Sequence, residues 1–146
     1  MNRFALTLIL GVFWVVPAHA NADGDLLASL GVVGKWAEHC DQKPGPDNAH
    51  LLYSTPGDGP PTEQLIMSDQ DGDRRDPLSD VRLLADGKVQ WTQVSGDTIF
   101  VIVNLFERTR LKTWSSTDTK GDVYIRDGAY AKSKGEAPWF YKCGAK

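Results

Sequence analysis

Hydrophobic and polar residues along the chain follow three patterns in turn. Residues 4–16 form an apolar stretch without a charged residue. Between residues 21 and 34 the larger apolar residues recur at spacings of three and four, which gives a helix one apolar face: Leu26, Leu27, Leu30 and Val33. From Trp36 onward apolar and polar residues alternate with the period of a β-strand that has one buried face. The chain therefore predicts an apolar leader, one short helix and a β domain.

The first 20 residues have the three parts of a secretory signal peptide. Arg3 is the only charged residue, residues 4–16 are apolar, and Pro17-Ala18-His19-Ala20 offers the Ala-x-Ala sequence that signal peptidases cleave. The apolar stretch would rise only about 20 Å as a helix, less than the roughly 30 Å hydrocarbon core of a membrane. We therefore expect a signal peptide over residues 1–20 and a periplasmic or secreted chain over residues 21–146.

The helix is expected over residues 21–34. Asp23 or Asp25 would cap its beginning, and Gly31 and Gly34 would end it. Because so short a helix is marginal alone, its apolar face must dock on the rest of the domain.

Short segments of β-prone residues fill the remainder of the chain. After the region of Trp36, strands are expected at residues 51–53, 63–67, 81–85, 88–92, 98–106, 108–114, 122–126 and 139–143. Asp86-Gly87, Gly96-Asp97 and Asp127-Gly128 are signals for tight turns between them. Sequential hairpins of this kind indicate an all-β, mainly antiparallel fold. We expect a small up-and-down β-barrel or sandwich of about eight strands, preceded by one short N-terminal helix.

The segment 98–106 is the most strand-like part of the chain, and both of its faces are apolar. One face carries Ile99, Val101, Val103 and Leu105. The other carries Phe100, Ile102, Asn104 and Phe106. We therefore expect both faces to be covered, by core, by a ligand or by a partner.

The two cysteines, Cys40 and Cys143, are predicted to form one disulfide, because exported proteins fold in oxidising compartments. The bond would tie the beginning of the domain to its end. Closing a loop of that length costs the unfolded chain about 4–5 kcal/mol of free energy in the entropy model.

Net charge argues against two classes of partner. Without Arg3 the chain has 15 basic against 19 acidic residues, a net charge of −4, and the basic residues are scattered. Nucleic acid and anionic membrane surfaces are therefore not expected as main partners. No stretch after the leader approaches the roughly 18 apolar residues of a membrane span.

The densest polar segment holds Asp69, Asp71, Asp73 and Asp76, a weak candidate for binding Ca²⁺. Loops that bind Ca²⁺ carry carboxylates at alternate positions. Counted from Asp69, however, the glycine is the fourth residue instead of the sixth, and Asp80 occupies the twelfth position, where such loops have a bidentate Glu. A solvated loop is the expected structure. His39, His50 and Asp41 could form part of a metal site, but we expect both histidines to be ordinary side chains. No cofactor is expected.

Catalysis finds little support in the sequence. The chain has no Gly-x-Ser-x-Gly elbow. The aromatic residues are the better lead, because an eight-stranded barrel has room for side chains or for one small ligand. We expect a ligand pocket lined by Trp91, Phe100, Ile102 and Trp114.

Gly34-Lys35-Trp36, placed after a short helix at the start of the first strand, resembles the Gly-x-Trp opening of lipocalin-type and avidin-type barrels. The resemblance implies that Trp36 closes one end of a barrel, with Lys142 or Arg126 packed over its ring. Periplasmic enzyme-inhibitor barrels have a similar opening. Residues 34–48 also resemble a group of small exported bacterial proteins of unknown function, which implies a periplasmic protein and no particular activity.

These observations lead to one expected function and two alternatives. We expect a periplasmic, non-enzymatic binding protein for a small apolar or aromatic ligand. The first alternative is an enzyme inhibitor or protein-interaction barrel that acts through the loops at residues 55–61 and 69–80. The second is an envelope hydrolase that uses paired carboxylates.

Overall fold

The computed structural model describes residues 19–68 and 74–144, which contain one helix and ten β-strands. Most of the predicted signal peptide, residues 1–18, lies outside this part of the chain. The helix α1 is His19–Ser29. The strands are β1 Gly34–Ala37, β2 His50–Ser54, β3 Thr62–Ile66, β4 Asp76–Leu83, β5 Val89–Ser95, β6 Thr98–Glu107, β7 Arg110–Asp118, β8 Val123–Arg126, β9 Ala129–Tyr130 and β10 Phe140–Lys142.

Consecutive strands pair antiparallel, and the last strand closes the sheet on itself. β10 pairs with β1 through Trp36 and Lys142, and it also pairs with β7 through Leu111 and Phe140. Strands β1–β7 and β10 therefore form a closed barrel of eight strands. The prediction of a mainly antiparallel β-barrel after one short helix is confirmed.

The strand β7 shares its second edge between two partners. Its first half pairs with β10, while its second half pairs with β8 through Ser116 and Ile125. β8 and β9 form a small hairpin that extends beyond the closed barrel. The two-residue strand β9 has no counterpart in the predicted set, because two residues carry no alternation to recognise.

The helix α1 covers one end of the barrel. Its Leu27 and the following Val32 are fully buried in the core, and Asp23 accepts a hydrogen bond of 3.0 Å from the backbone N–H of Val81 on β4. The carboxylate of Asp23 therefore joins the helix to the sheet instead of capping the helix as predicted. Nowhere in residues 19–68 and 74–144 is there a helix with the length and apolar character needed to cross a membrane.

The helix ends earlier than the predicted residue 34. Gly31 has a φ of 73°, its N–H binds the carbonyl of Ala28, and the N–H of Val32 binds the carbonyl of Leu27. This is a Schellman motif, in which a left-handed glycine satisfies the last helical carbonyls. Gly34 already belongs to β1. Of the two expected stop residues, Gly31 alone ends the helix.

Aromatic rings pack the barrel interior next to α1. The rings of Trp36 and Phe106 lie 6.0 Å apart edge to face, and those of Trp91 and Phe106 lie 6.5 Å apart. The indole N–H of Trp36 donates a hydrogen bond of 2.7 Å to the carbonyl of Val32. Lys142, one of the two cations expected over Trp36, places its ammonium 5.5 Å from the ring centre, whereas Arg126 lies exposed on β8.

The two faces of β6 differ in cover. The inner face is half-buried or buried throughout and includes Phe100, Ile102 and Asn104. On the outer face Ile99 and Val101 are 40% and 37% exposed. Both faces are therefore partly covered, and Ile99 and Val101 on the outer face are the most exposed apolar residues of β6.

Cys40 and Cys143 form the predicted disulfide. The bond stands beside the pair of β1 and β10, where the N–H of Cys143 also binds the carbonyl of Lys35 at 2.8 Å. It therefore fastens the seam at which the barrel closes. A disulfide at this place indicates an environment outside the reducing cytoplasm.

Candidate functional site

The inner face of the barrel changes from apolar to polar with distance from α1. Along β5 the inward side chains are Val89 and Trp91, both fully buried, followed by Gln93. At the same level Glu63 on β3 lies directly opposite Asp76 on β4. Because opposite residues of antiparallel strands share a face, their two carboxylates and the Gln93 amide converge inside the barrel.

Gln93 joins these two carboxylates. Its amide nitrogen Nε2 lies 3.3 Å from Oε1 of Glu63 and 3.3 Å from Oδ2 of Asp76, so both of its hydrogens are directed to carboxylate oxygens. The phenol of Tyr53, which lies opposite Glu63 on β2, also hydrogen-bonds the Glu63 carboxylate. Glu63 is therefore the centre of this polar cluster.

Arg74 reaches the same cluster from the open end of the barrel. Its Nε lies 3.3 Å from Oδ1 of Asp76, and its Nη2 donates a hydrogen bond of 3.1 Å to the hydroxyl of Ser95. The Arg74 side chain is 69% exposed, so water screens its attraction for the carboxylates. Asp76 is the carboxylate that this guanidinium pairs with.

The interior position of Glu63 changes its acidity. Burial raises the pKa of Glu63; the hydrogen bonds from Tyr53 and Gln93 lower it in part, and the nearby charge of Asp76 adds to the rise. Burial also raises the pKa of Tyr53 well above its ordinary value, and the charge of Glu63 raises it further. The phenol therefore stays a neutral hydrogen-bond donor at ordinary pH.

Two cavities lie on either side of this cluster, and Glu63, Leu65 and Ile102 line both. The first has a volume of about 200 Å³ and is also lined by Leu51, Tyr53, Asn104, Thr113, Ile125, Tyr130, Ala137, Pro138 and Phe140. The second has a volume of about 180 Å³ and is also lined by Arg74, Asp76, Gln93, Ser95, Phe100 and Ser116. The polar half of the barrel thus has open space between its side chains, while the half next to α1 is packed.

A surface cleft of about 510 Å³ adjoins the first cavity. Ile125 and Tyr130 line both spaces, and the cleft also includes Tyr124 and Lys132 of the hairpin region. The ring of Tyr124 packs edge to face on Phe100 at 5.5 Å. The β8–β9 hairpin therefore forms a wall between solvent and the barrel interior.

Three buried polar atoms on the inner face of β5 and β6 have no hydrogen-bond partner in the described chain. They are Oε1 of Gln93, Nδ2 of Asn104 and Nε1 of Trp91. Gln93 lines the second cavity and is 6% exposed, and Asn104 lines the first and is 1% exposed. Buried polar groups are almost always hydrogen-bonded, so the atoms of Gln93 and Asn104 mark the cavities as places where a polar molecule can bind.

Of the four residues predicted to line a pocket, Phe100 and Ile102 line a cavity, whereas Trp91 and Trp114 do not. Phe100 and Ile102 line the second cavity, and Trp91 lies one layer below, with its ring 5.6 Å from that of Tyr53. Trp114 lines neither cavity; the ammonium of Lys88 lies 5.0 Å from its ring centre.

Trp114 stands at a β-bulge between β6 and β7. Between β6 and β7, Val103 pairs with Ser115 and Asn104 pairs with Thr113, so that Trp114 is the extra residue. Strict alternation along β7 is lost at this point, because a bulge shifts the faces of the residues on either side. The sequence prediction named Trp114 for the pocket as one of the aromatic residues, without an argument from strand alternation.

Sequence reasoning missed most of the polar residues of the site. Tyr53, Glu63 and Gln93 were not predicted to bind anything, although Gln93 follows Val89 and Trp91 at the spacing of one strand face. Asn104 was placed on the face of Phe100 and Ile102 but was not taken as part of a site. A polar residue on an otherwise apolar strand face was the available sign.

The acidic segment and the histidines form no metal site in the described residues. Asp69, Asp71 and Asp73 lie outside the described residues, whereas Asp76 is buried on β4 and faces the barrel interior instead of lying in the expected solvated loop. In residues 19–68 and 74–144 no group of three or more His, Cys, Asp or Glu side chains could hold an ion.

The histidines occupy ordinary positions. His50 is buried, with its Nε2 3.1 Å from Nδ2 of Asn48, and His39 is exposed. Burial, followed by the charge of Lys35, lowers the pKa of His50. The imidazole is therefore neutral at ordinary pH and belongs to the folded framework.

The cavities combine apolar walls with buried acceptors and one buried donor, which is the usual composition of a small-molecule site. The walls shared by both cavities come from Leu65 on β3 and Ile102 on β6, and the polar atoms come from Gln93, Asn104 and the Glu63 cluster. Comparison of the chain with protein-family models, with curated proteins and with solved structures finds no significant match, so the functional argument depends on these residues themselves.

Proposed function

We propose that this chain is an exported, non-enzymatic binding protein that holds one small ligand, with an apolar or aromatic body, in the polar half of its barrel. The observation that carries the proposal is the pair of cavities around Glu63, lined by Gln93 and Asn104, each of which has a buried hydrogen-bonding atom without a partner. A folded chain that leaves such groups buried gains free energy when a ligand supplies their partners.

The walls of the cavities favour a ligand with an apolar or aromatic body. Phe100 and Ile102 line the second cavity, and Leu65 and Ile102 line both. The two volumes, about 200 and 180 Å³, are each smaller than the roughly 300 Å³ at which pockets for drug-sized ligands begin. A small metabolite-sized molecule fits this space better than a lipid or a peptide.

The internal bonding of the cluster favours recognition over catalysis. Both carboxylates already accept hydrogen bonds from Gln93, and Asp76 is also paired with Arg74. The raised pKa of Tyr53 keeps its phenol from acting as a base at ordinary pH. Groups held this firmly suit the orientation of a ligand.

A periplasmic or secreted location is part of the proposal. The disulfide between Cys40 and Cys143 supports it, because such bonds persist in oxidising compartments. The apolar leader with its Ala18-His19-Ala20 sequence supports it independently.

The test is calorimetric titration of the oxidised chain, residues 21–146, with indole, 2-phenylethanol and 2-phenylethylamine. We expect saturable binding of at least one compound with one site per chain. Ile102→Trp fills the space that both cavities share and should abolish this binding. Val101→Trp adds the same side chain one residue away, on the exposed outer face, and should leave binding unchanged.

Two results would contradict the proposal. One is the absence of binding for every compound to a chain whose near-ultraviolet dichroism shows native packing. The other is equal affinity of the wild type and Ile102→Trp for the ligand, because a ligand whose affinity does not change with this substitution binds outside the barrel.

A further inference from the structure

The hydrogen-bonding capacity left unused around Glu63 consists mainly of acceptors. Gln93 directs both hydrogens of its Nε2 to carboxylates, which leaves its buried Oε1 as an acceptor without a donor. The carboxylates of Glu63 and Asp76 accept further hydrogen bonds through their remaining lone pairs. A ligand head that enters the second cavity therefore meets one acceptor without a donor, the Gln93 Oε1, and two carboxylates that can accept further hydrogen bonds.

The charge of the same place is negative. Two carboxylates, Glu63 and Asp76, face one guanidinium, that of Arg74, whose side chain is largely in solvent. Arg74 pairs with Asp76, and among the described residues Glu63 forms no ion pair. Glu63 is half-buried, and a carboxylate partly withdrawn from water without a cationic partner is costly; an opposite charge beside it removes much of that cost.

We infer that the ligand of this barrel is a small organic cation, a primary amine or an amidine, whose charged head binds Glu63 and the Oε1 of Gln93 in the second cavity. The inference rests on the proposed function and specifies its ligand class. An ammonium has three hydrogens to donate and no acceptor, which matches the acceptors that converge at this point.

The other residues that line the two cavities determine the chemistry of the ligand beyond its charged head. Leu65 and Ile102, which line both cavities, and Phe100 border the space next to the head group, so the body bound there is apolar or aromatic. In the first cavity the unpartnered Nδ2 of Asn104 is a donor, since the Oδ1 of Asn104 already accepts from the hydroxyl of Thr113. An acceptor at the end of the ligand remote from the amine would satisfy it.

Other head groups fit the site less well. An anion would meet one guanidinium, that of Arg74, which already pairs with Asp76, against two carboxylates and the acceptor oxygen of Gln93, so net repulsion at close range opposes its binding. A neutral alcohol has a single hydrogen to donate and leaves the charge of Glu63 without a counterion. Discrimination among head groups is therefore the property to measure.

The experiment uses three probes of matched size: 2-phenylethylamine, 2-phenylethanol and phenylacetate. In calorimetric titration of the oxidised wild type we expect the amine to bind about tenfold more tightly than the alcohol, and phenylacetate to bind most weakly. Glu63→Gln keeps the shape and removes the charge, so it should bring the amine close to the alcohol. Glu107→Gln is the matched control, because Glu107 is exposed and pairs with Arg110 away from the cavities, and it should keep the wild-type order.

A pH series on the wild type tests the role of the Glu63 charge without a variant. The charged and titratable groups that face Glu63 are Tyr53, Asp76 and Arg74. The amine stays protonated below about pH 9, whereas Glu63 gains a proton as the pH falls through its raised pKa. Affinity for the amine should therefore weaken towards acid pH, while affinity for the alcohol should not.

The possible outcomes separate this inference from the proposed function. If the amine and the alcohol bind with equal affinity and Ile102→Trp binds neither, the inference about the cation is overturned. The proposed function then stands, with a ligand of another class. Amine affinity that is independent of pH, or unchanged in Glu63→Gln, also overturns it. If no probe binds the native chain, the proposed function fails and the inference fails with it.

Discussion

The ammonium of Lys142 lies 5.5 Å from the ring centre of Trp36 and donates a hydrogen bond of 2.5 Å to the carbonyl oxygen of Gly31. One side chain of the last strand thus contacts the first strand and the turn after α1. Because β10 closes the barrel, this contact joins the closing strand to the helix that covers the packed end. A substitution at Lys142 should therefore weaken the whole fold.

Lys142→Met keeps most of the apolar stem and removes the charge. We expect it to lower the free energy of unfolding by about 1–3 kcal/mol, from the loss of a cation–π contact and of a charge-assisted hydrogen bond. Urea titration followed by tryptophan fluorescence measures the change. Lys132→Met, on an exposed lysine, is the control. Equal stability of the two variants would show that the Lys142 contact adds nothing.

Reduction of the disulfide should destabilise the barrel at its closing seam. The bond spans 103 positions and stands beside the pairing of β1 with β10. The entropy model gives about 4–5 kcal/mol for a loop of this length, and engineered bonds often deliver less. We expect the double variant Cys40→Ala, Cys143→Ala to lose about 3–5 kcal/mol in urea titration.

Hydrogen exchange identifies where the reduced barrel opens first. The amides of β10 and β1 should lose protection before those of β5 and β6, because the bond acts at the seam. Uniform loss of protection across all strands would mean that the disulfide acts on the unfolded chain alone.

The sequence defines the packed end of the barrel better than the polar end. Val89 and Trp91 share a face as their spacing predicts, and both are fully buried. The cluster of Glu63, Asp76 and Gln93 depends on the register between β3, β4 and β5, which pairs residues from three separate segments. Alternation assigns a residue to a face of its own strand but gives no register with the next strand.

Two local features of the fold also differ from the sequence prediction. β4 begins at Asp76, although the acidic segment before residue 81 was expected to be a solvated loop, because Asp and Pro77 are poor strand residues taken alone. Inside the barrel, however, Asp76 gains the Gln93 and Arg74 contacts that offset its burial. The bulge at Trp114 is the second feature, and its position is set by packing rather than by a turn residue.

The raised pKa of Glu63 predicts a dependence of stability on pH. Burial raises its pKa in the folded state above the ordinary 4.5, so over the interval between the two values the folded chain holds a proton that the unfolded chain has released. The free energy of unfolding should therefore fall as the pH rises through this interval. Glu63→Gln removes the titrating group and should be the more stable protein at the upper end of the interval.

Thermal unfolding of wild type and Glu63→Gln over a pH series measures this difference. Their midpoints should converge near pH 4.5, where the ordinary carboxyl is half protonated, and separate as the pH rises. Glu107→Gln should follow the wild type throughout. A difference in thermal midpoint between wild type and Glu63→Gln that is the same at every pH would show that the charge of Glu63 does not cause the pH dependence of stability.

Asp118 organises the turn between β7 and the hairpin beside the surface cleft. Its Oδ1 accepts hydrogen bonds of 2.9 Å from the backbone N–H groups of Lys120 and Asp122, and the Tyr124 hydroxyl donates to its Oδ2 at 3.4 Å. Burial alone would raise the pKa of Asp118, but these hydrogen bonds outweigh it and lower the pKa below its ordinary value.

The carboxylate of Asp118 therefore stabilises the fold at neutral pH, and that contribution is lost as the pH falls through the lowered pKa. Asp118→Asn should lower the thermal midpoint at about pH 7, and the gap from wild type should narrow in acid. Asp97→Asn, in an exposed turn, is the control and should leave the midpoint unchanged. Since Tyr124 lines the cleft and packs on Phe100, Asp118→Asn should also speed amide exchange in β8. If the difference in thermal midpoint between wild type and Asp118→Asn stays constant down to acid pH, the loss of stability comes from the changed side-chain geometry and not from the lost charge.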